Sequence, residues 1–437
     1  MRNEAPPQKS RIWYAVGLLC LIAALSYLDR YIVALLAAPI MAEMGVDATA
    51  IGLLIGLGFG LLYALSGLPL AFLIDRGARV RIVGTGVIVW SLSTIASGFA
   101  PNFEVLLLTR AGVAIGEAVL VPATVSIVAD LFPPHRRALP IGLFMAVSTL
   151  MASGAFLIGA WAFSAASMLS PFVGLGDWRL TLVLVGLPGL MLGPLWLATV
   201  REPERIESDE DGDKASLAAA RQYLLRNWRF YVPFYASFGI SAIASYSFIS
   251  WTATMLTRSY GHSIASAGTL FGVTGVVSAA AAAIFWPMVS AWTVRRGAPV
   301  LGVLALALGL GIGHAAVAAF VLIDDTVGAG VAIAAATFGY GAAGGLAVLI
   351  IQQVAPSRMR AKITSIYVLV GNLIGLTIGP ALSAWLSVHM FEGGDALRRS
   401  LSALAFVALP LTVGLICLAA RAHSQLSEQP EAGPASA

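Results

Sequence analysis

The stretch IWYAVGLLCLIAALSYLDRYIVALLAAPIM, residues 12–41, holds two charges, Asp29 and Arg30, in an otherwise apolar run. A bilayer core about 30 Å thick is crossed by roughly 20 apolar residues in helical form, so this run predicts a membrane-spanning helix. Asp or Arg at the centre of such a helix costs roughly 2.5 to 3.5 kcal/mol each, and groups kept there face a polar pathway and find partners. A second run, residues 104–131, buries Arg110 and Glu117 in the same way. The function is expected to run through these four side chains.

The rest of the chain has the same character. Hydrophobic residues make up 59% of the 437, charged residues 11%, and the mean hydropathy is +0.87. That is the composition of a polytopic membrane protein. Twelve runs are long and apolar enough to span, near 12–41, 50–74, 81–100, 104–131, 138–165, 179–200, 229–256, 264–292, 299–321, 328–355, 362–389 and 399–421. Backbone polar groups inside lipid must be satisfied within the segment, and these runs are too long and uniform for barrel strands, so an all-α membrane protein is expected.

Placing the 26 Lys and Arg residues on this span plan puts 20 in tails and loops on the side of the N-terminus and four, Arg179, Arg258, Arg398 and Arg399, on the other. The bias predicts both termini cytoplasmic. The net charge of +4 is then a topology signal and not a nucleic-acid footprint. The first run is longer than a signal-peptide core and carries charge, so it is read as a retained span. Cys20 and Cys417 fall in spans without metal-ligand spacing, and no metal, cofactor or disulfide framework is expected. With five histidines and neither GxSxG nor HExxH, the chain does not read as an enzyme.

The middle of the chain breaks the pattern. REPERIESDEDGDK, from residue 201, concentrates seven of the 22 acids and is followed by the amphipathic ASLAAARQYLLRNWRF. Four regions result: 1–200 as an N-terminal six-helix bundle, 201–228 as a cytoplasmic linker, 229–422 as a C-terminal six-helix bundle, and 423–437 as a disordered tail. In the linker, Leu217, Tyr223, Leu224 and Trp228 would lay a short helix on the inner membrane surface. Gly52, Gly56 and Gly60 in the second run echo Gly371, Gly375 and Gly379 in the eleventh, a spacing of four that favours close helix packing. Gly339, Gly341 and Gly344 match GxGxxG, but they lie inside a span and not after a strand, so no dinucleotide site is assigned.

GLPLAFLIDRGARVR, after the second run, resembles the inside-loop motif of the major facilitator superfamily in Asp75, Arg76, Arg79 and Arg81, with Ala71 where that family usually has Gly. The counterpart SAWTVRRGAP keeps Arg295, Arg296 and Gly297 without the acid. RAGVAIGEAVLVPATVSIVADLFPPHRRALPIGLF together with YLDRYIVALL is similar to the Spinster branch, transporters of sphingolipid and lysophospholipid type, and to the neighbouring anion:cation symporters. This resemblance implies twelve transmembrane helices in two six-helix bundles around a cavity that opens alternately to each side. It implies proton coupling at Asp29 and Glu117, cavity electrostatics at Arg30 and Arg110, and a cytoplasmic gate at Asp75, Arg76, Arg79 and Arg81. The plainer reading of Asp75 and Arg76 is a surface ion pair worth about 1 kcal/mol or less.

Geometry agrees with the transfer. Arg110 and Glu117, seven residues apart, share a helix face about 10 Å apart. Counting rise from the span ends puts Asp29 and Arg110 at nearly one depth, so they can meet if their spans are neighbours, while Arg30 points about 100° away around the helix. A carboxylate next to Arg favours ionisation and the same carboxylate in a dry site favours protonation, which makes a switch; a static ion-pair network is the competing reading. Tyr27, Tyr31, Tyr63, Tyr246 and Trp251 are candidate substrate contacts. Asn372 is either another or an interhelical hydrogen bond. His314 and His389 read as packing or interfacial residues.

Every midplane charge belongs to the first half. One charged wall and one apolar wall suit an amphipathic, lipid-like substrate moved by a proton-coupled secondary transporter; a small organic anion such as a sugar acid or carboxylate is the alternative. The expected partners are that substrate, protons and the bilayer, with a single chain as the functional unit in a bacterial inner membrane.

Overall fold

The protein was analysed as a computed structural model that describes residues 9–205, 217–356 and 359–427. Most of the acidic run, Lys214, Arg358 and residues 428–437 of the tail lie outside the described residues. Among the described residues every regular element is helical. In chain order they are α1 Lys9–Leu35, α2 Ala37–Met44, α3 Ala48–Leu53, a π-helical segment Leu54–Leu61, α4 Leu62–Arg76, α5 Arg79–Gly98, α6 Phe103–Glu117, α7 Leu120–Leu131 and α8 Ala138–Val173. Then come α9 Asp177–Thr199, α10 Leu217–Arg226, α11 Trp228–Ser259, α12 Ile264–Arg295, α13 Pro299–Ala318, α14 Thr326–Gly345, α15 Ala347–Val354, α16 Arg360–His389 and α17 Ala396–Ser427. Twelve helical stretches are long and apolar enough to cross a membrane, and they coincide with the twelve runs expected from sequence. Residues 423–427 of the expected tail continue α17.

Helix ends follow local chemistry. Asp47, Asn102 and Asp325 accept from the backbone N–H of Ala50, Val105 and Gly328 at 2.9, 3.0 and 2.8 Å, the N-cap arrangement that starts α3, α6 and α14. Gly45 and Gly174 close α2 and α8 with φ of 66° and 73°, a left-handed turn that glycine takes without a Cβ penalty. Two loops outside the halves' cores echo each other: Arg137 donates to the carbonyls of Phe132 and Ala129 at 2.9 and 2.6 Å, and Arg360 to that of Ala355 at 2.9 Å. Each guanidinium satisfies carbonyls at a helix end that the helix itself leaves free.

The chain divides into two compact units, residues 1–206 with 261–273, and residues 207–260 with 274–437. In the first, α5 packs along α9 and against α6, and α1 packs along α8. The α5–α6 contact is as close as backbones allow: a Cβ on Gly116 would lie 2.9 Å from the carbonyl oxygen of Gly86 and from the backbone nitrogen of Trp90. In the second, α11 packs against α16 and α17, and α13 against α14 and α17. Here the glycine spacing acts as expected, since Gly375 and Gly379 bring α16 against Ala242 and Ile243 of α11. Large apolar side chains such as Phe72, Leu108, Met168, Phe172 and Ile284 are well over half exposed, as a lipid-facing surface requires.

Candidate functional site

Asp29, Arg110 and Glu117 are 1%, 2% and 1% exposed, so three of the four intramembrane charges are buried inside the first unit. Arg30 completes the group through a 2.9 Å ion pair from its Nη2 to Glu117 Oε2. Asp29 and Arg30 are adjacent on α1 and therefore leave it about 100° apart. The guanidinium of Arg30 turns toward α6, and the Asp29 carboxyl lies against Trp90 and Thr94 of α5.

The depth argument placed Asp29 and Arg110 at one level, and they do meet, but through the backbone. Arg110 Nη1 donates to the Asp29 carbonyl oxygen at 3.0 Å, and Nη2 lies 3.5 Å from that of Arg30. The direct carboxylate–guanidinium pair joins Arg30 to Glu117 instead. The reason is rotational: with the Asp29 side chain turned to α5, its carbonyl is what α1 presents to Arg110. Several atoms of this group stay buried without a hydrogen-bond partner, namely Asp29 Oδ1, Arg30 Nε, Arg110 Nε and Glu117 Oε1. Buried charge with unsatisfied atoms is costly, and such sites usually earn their place by function.

Aromatic rings enclose Arg30. Its guanidinium carbon lies 5.1 Å from the ring centre of Tyr27, 5.1 Å from Phe59 and 4.8 Å from Tyr63. Phe59 also lies 5.4 Å from the guanidinium of Arg110, and it stacks on Tyr63 at 5.7 Å. Each cation–π contact is worth about 0.5 to 2 kcal/mol depending on desolvation. Tyr27 and Tyr63, candidate substrate contacts in the sequence, thus gather around the Arg30 guanidinium. Tyr31, 4% exposed, stacks on Phe156 of α8 at 5.9 Å. Phe59 was missed. It sits in the π-helical segment, a feature of the structure, and the signal the sequence carried was its spacing of four residues from Tyr63.

A second polar cluster stands at the end of the unit where α4 gives way to α5. Arg79, 1% exposed, pairs with Asp130 and, at 2.8 Å, with Glu202; it also donates to Ser126 Oγ at 3.0 Å and to the Pro203 carbonyl at 2.9 Å. Glu202 accepts in addition from the Val80 N–H at 2.7 Å. Arg205 donates to the carbonyls of Ile74 and Gly77 at 2.7 and 2.8 Å and to that of Asp75. The motif side chains therefore separate: Arg79 is the buried hub, whereas Asp75, Arg76 and Arg81 are exposed. Asp130, Glu202 and Arg205 were not singled out from sequence, because an acidic linker reads as solvated until its position is known.

The second unit holds no buried Asp, Glu, Lys or Arg among the described residues. Trp251 is fully buried and donates to the Pro380 carbonyl at 2.9 Å, so its indole N–H is spent on the helix contact. Tyr246 is half-buried on α11, against which Gly375 packs. Asn372 belongs to α16, and its side chain lies outside the described residues. His314, fully buried, bonds Tyr340 at 3.2 Å. Arg295 and Arg296 are exposed; one donates to its own helix at Ala291 and the other lies 4.6 Å over Trp292. Cys20 and Cys417 are free thiols, and among the described residues no group of three or more His, Cys, Asp or Glu is placed to hold a metal.

Comparison with known proteins agrees with this architecture. A protein of Mycolicibacterium smegmatis named as an MFS-type efflux pump is 30% identical over 421 residues, covering 93% of this chain and 92% of its own. A probable galactarate/D-glucarate transporter of Bacillus subtilis, GudP, is 24% identical over 90% of this chain and 91% of its own. The crystal structure of a bacterial homologue of the human lysosomal transporter Spinster, inward-facing and unoccupied, superposes with a TM-score of 0.84 at 27% identity, covering 97% of this chain and all of the other. With twelve spans, buried charge on the first and fourth, and the family description matching residues 19–380, the chain belongs to the Major Facilitator Superfamily and resembles its Spinster branch.

Proposed function

We propose that the protein is a proton-coupled secondary transporter that works by alternating access on an amphipathic, lipid-like substrate. The observation that carries the reading is the Arg30 site: a guanidinium paired with Glu117 and faced by Tyr27, Phe59 and Tyr63. A phosphate or carboxylate headgroup would compete with Glu117 for the guanidinium, and the rings offer apolar surface beside it. Protonation of Glu117 or Asp29 would remove the competing charge and free the arginine for the headgroup. Deprotonation would reverse this. The spans of the second unit contribute aromatic and hydroxyl groups and no buried charge, which suits an acyl chain better than a second anionic group. A mouse relative named as a sphingosine-1-phosphate transporter, 30% identical over 52% of this chain and 40% of its own, supports an amphiphile as cargo.

On this reading Asp29 and Glu117 carry the coupling proton, Arg30, Arg110, Tyr27, Tyr31 and Tyr63 contact the substrate from the first unit, and Tyr246 and Asn372 are the candidate contacts of the second, Trp251 being committed to its helix contact. Asp75, Arg76, Arg79 and Arg81 form the cytoplasmic gate. Two six-helix bundles, 1–200 and 229–422, form the working unit of a single chain in a bacterial inner membrane, and the Lys and Arg distribution supports cytoplasmic termini.

The test is flux of labelled lysophospholipid into proteoliposomes under an imposed pH gradient, beside Asp29→Asn. Gradient-dependent flux that the mutant loses supports the proposal. Flux indifferent to the gradient would remove the proton from it. A second reading, a sugar-acid or carboxylate symporter, is favoured by the two guanidinium groups and by the GudP relative; glucarate flux without lysophospholipid flux would establish it in place of the first.

A further inference from the structure

On the α5 side, Asp29 Oδ1, Trp90 Nε1 and Thr94 Oγ1 are all buried, and none completes a hydrogen bond, although the indole and the hydroxyl lie against the carboxyl group. Trp90 and Thr94 are themselves wholly inaccessible, and spaced four apart they share one face of α5. Unsatisfied buried donors meeting a buried carboxyl are uncommon in a stable protein unless another state of the site uses them.

We propose that Trp90 and Thr94 are positioning residues for the proton on Asp29, an α5 seat that closes its hydrogen bonds on the carboxylate when the proton leaves. This deepens the proton-coupled reading and rests on it. The indole N–H can only donate, so it favours the ionised form; the hydroxyl can donate to the carboxylate or accept from the acid, but its bond to the charged group is about twice as strong, so on balance it favours the ionised form too. The proton passes between the carboxyl oxygen and water, and no other bond changes. The seat is supplied by α5 and the partner of Arg30 by α6, so Asp29 is held by α5 while Arg30 and Glu117 remain available to substrate.

Other groups that act on Asp29 are accounted for. Glu117 and Arg110 act on it from α6; Arg30, Tyr27 and Tyr31 share its helix and Tyr63 comes from α4, and these tyrosines act on Arg30. Helix α8 has no titratable side chain; α7 carries only Asp130, α9 only Asp177 and Arg179, and α2 only Glu43, all near helix ends.

The test needs no substrate. In the full-length protein reconstituted in lipid, the protonated-carboxyl stretch is followed by infrared difference spectroscopy against pH, and the Asp29 band is identified by its loss in Asp29→Asn. Trp90→Phe and Thr94→Val each remove a donor to the ionised form, so each is expected to move the Asp29 midpoint upward by about one pH unit, and Thr94→Ser is expected to restore it. Valine matches threonine in shape, so a shift with Val and not with Ser reads the hydroxyl and not the packing. Should Trp90→Phe fail to fold against Gly116, the Val and Ser pair alone decides. An unmoved midpoint in Thr94→Val overturns the seat and leaves Asp29 as a proton carrier. No band lost in Asp29→Asn overturns the carrier and the seat together.

Discussion

The two units solve the same problem, polar groups inside lipid-embedded helices, in opposite ways. The second unit holds no buried Asp, Glu, Lys or Arg among the described residues and turns several ring donors to its own backbone: Tyr235 donates to the Ile363 carbonyl at 2.8 Å, Tyr367 to Ala343 at 3.2 Å, Trp286 to Phe338 and Trp251 to Pro380 at 2.9 Å each, while atoms such as Tyr231 Oη, Ser250 Oγ and His314 Nε2 stay without partners. The first unit buries Asp29, Arg79, Arg110 and Glu117 and leaves atoms of three of them without partners. A satisfied hydroxyl is a fastener, whereas a buried charge with open valences responds to protons and anions. On the proposed function the working chemistry belongs to the first unit, and the second is a largely apolar scaffold with two buried histidines, His314 and His423.

The comparison breaks most directly at the charges. Asp29→Asn and Glu117→Gln are each expected to cut gradient-driven flux about 100-fold, the equivalent of ~2.7 kcal/mol. Tyr367→Phe and His314→Gln in the second unit are expected to change it less than about threefold. Equal losses in both units, measured as initial rates in proteoliposomes, would remove the asymmetry.

Stability divides the units in the same way. Arg79→Ala strands Asp130 and Glu202 and is expected to cost about 3 kcal/mol, while Arg295→Ala, exposed on the corresponding loop of the second half, costs less than about 0.5 kcal/mol. Thermal unfolding of the detergent-solubilised variants compares them.

Arg30→Lys sharpens the aromatic site. It keeps the charge but loses the planar fork, so KM for the amphiphile is expected to rise about fivefold with kcat changed much less. A fall in kcat alone would instead assign Arg30 to the proton step.

The smallest effect lies at the far end of the first unit, where Glu43 accepts from Trp178 Nε1 at 2.5 Å and from Arg179 Nε at 2.7 Å. Partial burial disfavours the Glu43 carboxylate, but the hydrogen bonds from Arg179 and Trp178 outweigh it and hold the group below its usual 4.5. A depressed carboxyl contributes stability fully above its unfolded value and loses it as pH falls through the folded one. Glu43→Gln should lower Tm by about 2 °C at pH 7 and by less below pH 4, a convergence that a pH series of melting curves reads directly.

Much of this was legible in residue order. Span lengths, the split at the acidic linker and the four midplane charges follow from a bilayer's thickness and its penalty for charge, which act on each segment separately. Even the level at which Asp29 and Arg110 meet came from counting helical rise. The partners did not. Whether Arg110 meets the Asp29 carboxylate or its carbonyl depends on the rotation of α1 about its own axis, and that is set by packing against α8 and α9. Phe59 joined the site through a π-helical widening, Glu202 left an apparently solvated linker to reach Arg79, and Trp90 with Thr94 emerged only once α5 lay against α1. Periodicity and hydropathy determined which residues sit in the membrane and on which helix; the tertiary structure alone decided which charge faces which, because hydrogen bonds have a range of about 3 Å and residues far apart in the chain are brought within it only by packing.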